Sequence, residues 1–407
     1  MDIMPEPFLT SGDLLARFQT LDSFLLQHQA LWRPRPFHHL HLPWEAELPE
    51  LAGWLRGRSL EQAEAGDSDL FALPAPAPFP TLAAQAQTLS QLGELPSRNS
   101  AERAHALSID VPGRKLAQIQ AFASHLQFRR HPTHWLDWCS GKGHLGRWLT
   151  QDDQRLTCLE YDPALVESGS ALSKRLGLDA RHLQQDVLAD DCSERLTQEH
   201  TPVALHACGD LHVRLLQLAS RNGCSQLAVA PCCYNRIAGK QYQPLSTAAQ
   251  ASALQLSRDD LGLPLSETVT AGARVRRQRN QSMAWRLAFD LLQRQLRGID
   301  EYLPTPSLPS EWFSKTFARF CHDLATLRGM ASPGDQDWVA LEAQGWQRLA
   351  EVRNLELPRN LFRRPLELWL LLDRALYLEE QGYSVRLGTF CEYPLSPRNL
   401  LLLAERA

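Results

Sequence analysis

Short apolar runs and longer amphipathic stretches alternate along the middle of this chain. Trp135-Leu136-Asp137-Trp138 reads as a strand that ends in the turn Cys139-Ser140-Gly141-Lys142-Gly143-His144-Leu145-Gly146 and then enters a helix. Arg155 to Asp162 reads as a second strand ending in acid. Pro163 suits the first turn of the next helix, which runs through Ala164 to Leu176 and stops near Gly177. Arg181 to Val187 reads as a third strand, Pro202 to Asp210 as a fourth with its exit turn, and Gln226 to Pro231 as a fifth. Strands alternating with helical stretches predict a parallel sheet with helices on both faces.

Near the carboxyl end the rhythm changes. Pro365 opens an apolar helix that closes at Gly382, and Tyr383 to Cys391 and Leu400 to Leu403 then read as two strands with no helix between them. Strands joined so briefly are antiparallel. Ser11 to Leu31 and Leu48 to Glu64 read as amino-terminal helices, and Asp67 to Pro80, with four prolines, reads as an extended linker.

The turn at Cys139 to Gly146 is a place for a ligand. Glycines take positive φ and let a ligand approach the backbone, and the helix start behind them offers free N–H groups. A phosphate loop for ATP or GTP needs glycine where Leu136 stands and Ser or Thr where Gly143 stands, so that reading is discarded. Gly141 to Gly146 fits the G-x-G-x-x-G of a dinucleotide site, a weak signal alone. An S-adenosylmethionine site is the third reading. In it Asp137 holds the amino end of the methionine, Glu160 accepts both ribose hydroxyls and Asp186 meets the adenine amine. A bare strand-to-helix turn stands against all three.

Three ordered motifs decide between them. Asp137-x-Cys139-Ser140-Gly141-Lys142-Gly143-His144-Leu145, His206-Ala207-Cys208-Gly209-Asp210-Leu211 and Pro231-Cys232-Cys233-Tyr234 together resemble the family that includes methyltransferase-like protein 25. They are more distantly similar to transfer-RNA 2′-O-methyltransferases. Val111-Pro112-Gly113-Arg114-Lys115 is similar to the basic helix that precedes that domain. The likeness covers about Ile109 to Asn235 and, less specifically, Pro365 to Arg406. It implies an α/β, class I Rossmann-like methyltransferase with a mostly parallel seven-stranded sheet, a carboxyl-terminal antiparallel hairpin, a helical amino-terminal region and a helical insertion. The implied cofactor is S-adenosylmethionine, held by Asp137, Cys139, Gly141, Gly143, His144, Leu145, Glu160, Asp186 and His206. His206, Asp210 and Tyr234 are the candidates for the acceptor side. Cys139 replaces the first glycine of the common pattern. The Asn-Pro-Pro-Tyr signature of base-amine methylases is absent, which lowers the odds of amino-group transfer on a base.

The implied layout is 1–66 helical, 67–107 linker and helix, 108–235 cofactor-binding core, 236–360 helical insertion, and 361–407 last helix and hairpin. The net charge is −4, yet Ala271 to Gly298 holds seven arginines against Asp290 alone. Such a cluster binds phosphates or is a solvated helix face. The distant likeness to transfer-RNA 2′-O-methyltransferases, together with Arg274, Arg276, Arg277 and Arg279, nominates RNA as the acceptor, with a protein or small molecule as the alternative and a nicotinamide-dependent oxidoreductase as a different class. Trp285 is read as packed, and Arg359, Arg363 and Arg364 as a second basic patch.

No apolar run approaches the ~20 residues of a membrane span. The first six residues lack signal-peptide character, and nine cysteines without framework spacing fit reduced thiols. A cytoplasmic protein without a metal is the expectation. Zinc on Cys139, Cys208 and Cys232 or Cys233 is disfavoured because no C-x-x-C pair is present and adjacent cysteines in a strand point opposite ways.

Overall fold

The computed structural model describes residues 7–98, 111–151, 153–266 and 272–406. Residues 1–6, 99–107 of the expected linker, 108–110 of the expected core and Ala271 at the head of the arginine-rich stretch lie outside the described residues.

The chain divides into two compact units. One comprises Met1–Leu26, Ser90–Val269 and Arg364–Ala407, and the other Gln27–Leu89 and Thr270–Arg363. This differs from the layout expected from sequence, for packing reasons. A short strand, β1 (Leu9–Thr10), pairs with the carboxyl-terminal hairpin and draws the first residues into the first unit. The helices Leu60–Ser68 and Trp338–Asn360 pack together, so the amino-terminal helices share a unit with the insertion.

The first unit is built on one eight-stranded sheet. Its strands are β1, β2 (His134–Trp138), β3 (Arg155–Glu160), β4 (Ala180–Gln184), β5 (Thr201–Ala204), β6 (Gln226–Val229), β7 (Tyr383–Thr389) and β8 (Leu400–Arg406). The spatial order is β1-β7-β8-β6-β5-β2-β3-β4. β4, β3, β2, β5 and β6 run parallel, β8 returns antiparallel between β6 and β7, and β1 adds an eighth strand to the expected seven. The central strands are buried on both faces, which is why they read as continuous apolar runs. Trp135, Leu156, Val203, Ala228 and Leu403 share one cluster with Ile119 and Phe122 from the helix Gly113–His125. The strand order reverses beside β2, the switch point where ligands of open α/β sheets bind, outside the carboxyl ends of the strands.

The second unit is helical. Trp285, Phe289, Phe317 and Phe320 fill its core, so Trp285 is packed as expected. Gly345 lets the helices Ala273–Arg297 and Trp338–Asn360 touch: an added Cβ would lie 2.5 Å from the Ala284 carbonyl oxygen. The proline-rich stretch is not a bare linker: Leu70, Leu73, Ala75 and Phe79 are buried and a helix begins at Phe79. Among the described residues no helix is long and apolar enough to cross a membrane.

Candidate active site

β2 delivers the chain into the glycine turn. Asp137, its penultimate residue, is buried, and one carboxylate oxygen accepts the Gly146 N–H at 2.8 Å. Burial pushes its pKa up to about 6, against the lowering effect of that bond and of Lys115 and Arg147. Cys139, Gly141 and Gly143 follow with φ of 57°, 57° and 74°. Positive φ costs an L-residue about 1–2 kcal/mol, so Cys139 carries strain that a glycine would not.

The two glycines of the turn differ in surroundings. A Cβ on Gly143 would meet His182 Cε1 at 2.7 Å, Cys158 Sγ at 3.0 Å and Arg147 Nη1 at 3.2 Å. A Cβ on Gly141 would meet nothing within 4 Å. Gly143 is thus a packing glycine, and Gly141 borders open space. His144 and Leu145 turn inward: the His144 ring lies 3.0 Å from Arg147 Nη2, and Leu145 joins the core. With both side chains buried, only their main-chain groups face the turn.

β3 and β4 end beside the turn and supply carboxylates. Glu160 is anchored from both sides, by the Gly141 N–H at 2.8 Å and the Asp162 N–H at 3.0 Å. The Gln185 N–H bonds the Glu160 carbonyl at 2.8 Å, linking the two strand ends. Asp186 is exposed, one oxygen accepting the Leu188 N–H at 2.9 Å. Tyr161 and Leu188, 70% and 48% exposed, stand beside these acids. Sequence reasoning missed both, although each is a large apolar residue one or two positions past an acid at a strand end. It also missed that Lys115 lies near Asp137 and His206, where its charge acts on both.

The acceptor-side residues follow β5 and β6. His206 is exposed, and desolvation, then Lys115, lowers its pKa below the usual histidine value. Asp210 opens the helix Asp210–Arg221, and its carboxylate accepts the Ala238 N–H at 2.7 Å, tying the segment after β6 to that helix. Tyr234 corrects the expectation. It is 1% exposed, its ring sits edge-on to His212 and 5.0 Å from the Arg374 guanidinium, and burial drives its pKa up. A phenol so enclosed does not reach a substrate at the strand ends.

The thiols converge. Cys208 and Cys232 extend the β5/β6 pairing by one bridge, with sulfurs 3.6 Å apart, and Cys233 brings a third sulfur within 4.8 Å of both. The expectation that adjacent cysteines diverge fails because β6 ends at Val229 and Cys233 has φ 46°, which turns its side chain out of strand alternation. The Cys233 thiol is held low by the neighbouring S–H groups, while those groups and burial push Cys232 up. Cys139 does not belong to this group.

The basic patches are partly consumed. In the helix Ala273–Arg297, Arg294 pairs with Asp290 at 2.9 Å and Asp300 at 2.7 Å, Arg286 donates to the Pro306 carbonyl, and Arg297 donates to Gln293. Arg274, Arg276, Arg277 and Arg279 are exposed. The second patch is not an open surface: Arg359 is buried and donates to the Trp32 carbonyl, Arg363 pairs with Asp67, and Arg364 with Glu367.

A cavity of about 500 Å³ lined by Arg98, Arg129, Trp135, Trp148 and Gln154 lies at the amino end of β2. Among the described residues no carboxylate lines it, and it sits at the wrong end of the strand for a nucleotide cofactor. The glycine turn fits such a cofactor better, with open space at Gly141 and the Glu160 carboxylate held by the Gly141 N–H beside it.

Residues 114–240 match a family model described as a methyltransferase domain. Two solved structures resemble the chain. One is the plantazolicin methyltransferase BamL in complex with a triazolic desmethylPZN analog and SAH, at 14% identity and TM-score 0.22 over 44% of this chain. The match spans 59% of that protein's length. The other is coclaurine N-methyltransferase bound to N-methylheliamine and SAH, at 13% identity and TM-score 0.24 over 85% of this chain and 93% of that one. Residues 114–240 thus match a methyltransferase domain, a class that uses S-adenosylmethionine, and the β7/β8 hairpin finishes its sheet in the Rossmann-like manner.

Proposed function

We propose that the protein is an S-adenosylmethionine-dependent methyltransferase whose acceptor is RNA, akin to the methyltransferase-like protein 25 family through its His206–Leu211 and Pro231–Tyr234 motifs. One observation carries the acceptor. Arg274, Arg276, Arg277 and Arg279 are exposed on the first two turns of a 25-residue helix with no acid in its first turn. Cations at a helix amino terminus oppose the helix dipole. Phosphates relieve both that repulsion and the mutual repulsion of the arginines, so this helix end is suited to a polyanion.

Asp137, through the turn it locks, and Lys115 would hold the methionine end of the cofactor. Cys139, Gly141, Gly143 and the main chain of His144 and Leu145 would form the cradle, Glu160 would hold the ribose and Asp186 the adenine. When bound, S-adenosylmethionine supplies an activated methyl on a sulfonium centre and its own leaving group. The residues of this chain position the partners and handle one proton. His206, kept neutral near pH 7 by its lowered pKa, accepts the proton of an attacking hydroxyl. Asp210 fixes the loop that faces it.

Methyl-labelled S-adenosylmethionine incubated with the protein and fractionated lysate tests the reading. Label should enter material sensitive to ribonuclease and resistant to protease. Replacing the four exposed arginines by Gln should reduce RNA labelling and flatten the salt dependence of RNA binding, because each neutralised phosphate releases counterions. Label confined to protein or to small molecules would overturn the RNA acceptor.

A further inference from the structure

We propose that Cys208, Cys232 and Cys233 form a three-thiolate site for one divalent ion of the zinc class, with the fourth coordination position open. This assignment does not depend on the acceptor.

The spacing fits such an ion. Tetrahedral zinc holds sulfur at about 2.3 Å, which places ligand sulfurs about 3.8 Å from one another. Here Cys208 and Cys232 are 3.6 Å apart, and all three sulfurs lie within 4.8 Å. An all-sulfur donor set selects soft or borderline ions over magnesium or calcium. No fourth Cys, His, Asp or Glu joins the group among the described residues, which leaves one position for water or another ligand.

Loop contacts fix this arrangement. Gly209, at φ 55°, donates its N–H to the Cys232 carbonyl at 3.2 Å. A Cβ there would fall 2.0 Å from the Arg236 carbonyl oxygen, so only glycine permits the approach. His212, fully buried, bonds the Ala207 carbonyl at 3.0 Å through Nδ1 and accepts Arg374 Nε at 2.8 Å through Nε2. The same guanidinium covers the Tyr234 ring next to Cys233. Cys233 itself occupies the left-handed region, one of two non-glycine residues to do so among the described ones. Such strain gathers at functional sites. Here its effect is to aim two adjacent thiols at one point.

Anaerobic titration of the reduced protein with Co²⁺ tests the site. One equivalent should produce a sulfur-to-cobalt charge-transfer band in the near ultraviolet and tetrahedral d–d bands, and Zn²⁺ should abolish both. Zn²⁺ should also protect Cys208, Cys232 and Cys233 of the wild-type protein from alkylation, read by mass spectrometry, while Cys391 stays reactive. Ser at each of the three positions should weaken Co²⁺ binding at least 100-fold, and Cys321→Ser should not. The alkylation pattern needs no variant, so it stands even if a substituted protein misfolds. Absence of the charge-transfer band at one equivalent, alkylation of the three thiols unchanged by Zn²⁺, or a disulfide within the group in freshly purified protein would each overturn the assignment.

Discussion

Gly141 and Gly143 share a left-handed backbone two residues apart, yet substitution should affect them through different properties. At Gly143 an alanine pays about 1–2 kcal/mol for φ 74° and must also push aside His182, Cys158 and Arg147, which its Cβ would approach at 2.7, 3.0 and 3.2 Å. Overpacking of that kind costs about 1–3 kcal/mol more, for a total near 3–4 kcal/mol. At Gly141 the backbone term alone applies, because nothing lies within 4 Å of the added methyl. For a domain of roughly 250 residues each kcal/mol moves Tm by about 2–4 °C. Differential scanning calorimetry should therefore show Gly143→Ala lowered by about 10 °C and Gly141→Ala by about 2–8 °C. Affinity for S-adenosylhomocysteine, measured by titration calorimetry, should fall at least tenfold in Gly141→Ala, whose methyl occupies the cradle. Equal Tm losses, or a Gly141→Ala protein that binds like wild type, would refute the division of roles.

Three further outcomes concern Asp137, Asp373 and His206. Burial raises the pKa of Asp137 from 3.8 to about 6, so the folded state holds the proton more tightly and stability falls as pH rises from about 4 to about 6. Asp137→Asn should remove that fall and gain up to about 3 kcal/mol at pH 7 in urea unfolding; an unchanged pH profile would show that the carboxyl is not the source. Asp373, fully buried, accepts from Tyr242, Leu245 N–H and Ser246, so Asp373→Ala should cost about 4 kcal/mol by stranding those donors, and a loss under 1 kcal/mol in the same assay would contradict it. His206→Gln should lower the turnover rate and abolish its rise with pH below the usual histidine range, while leaving cofactor affinity within a few-fold; an unaltered pH–rate profile would remove His206 as the proton acceptor.

The sheet was legible because strands buried on both faces leave continuous apolar runs, and because Pro163, Gly177 and Gly382 punctuate the helices beside them. Glu160 was legible from its place at a strand end. β1 was not, since two residues carry no periodicity and pair only through the distant Arg386 and Leu387. The joining of the amino-terminal helices with the insertion was equally hidden, because helix packing across some 290 residues leaves no local mark. Tyr234 was a candidate for the acceptor side through its place after the Cys-Cys pair. Its burial is decided by His212 and Arg374, which sequence spacing does not connect to it. The convergence of three thiols depended on one φ angle at Cys233, a property that strand alternation predicts wrongly.

The central claim is that the glycine turn and Glu160 hold S-adenosylmethionine. Titration calorimetry of S-adenosylhomocysteine and of NADH against the wild-type protein and Glu160→Ala tests it most directly. Wild type should bind S-adenosylhomocysteine at one site with a micromolar-range Kd, order of magnitude about −8 kcal/mol, and should not bind NADH. Glu160→Ala should weaken S-adenosylhomocysteine by at least tenfold while retaining the wild-type circular dichroism spectrum. Preference for NADH, or undiminished S-adenosylhomocysteine binding by Glu160→Ala, would contradict the account.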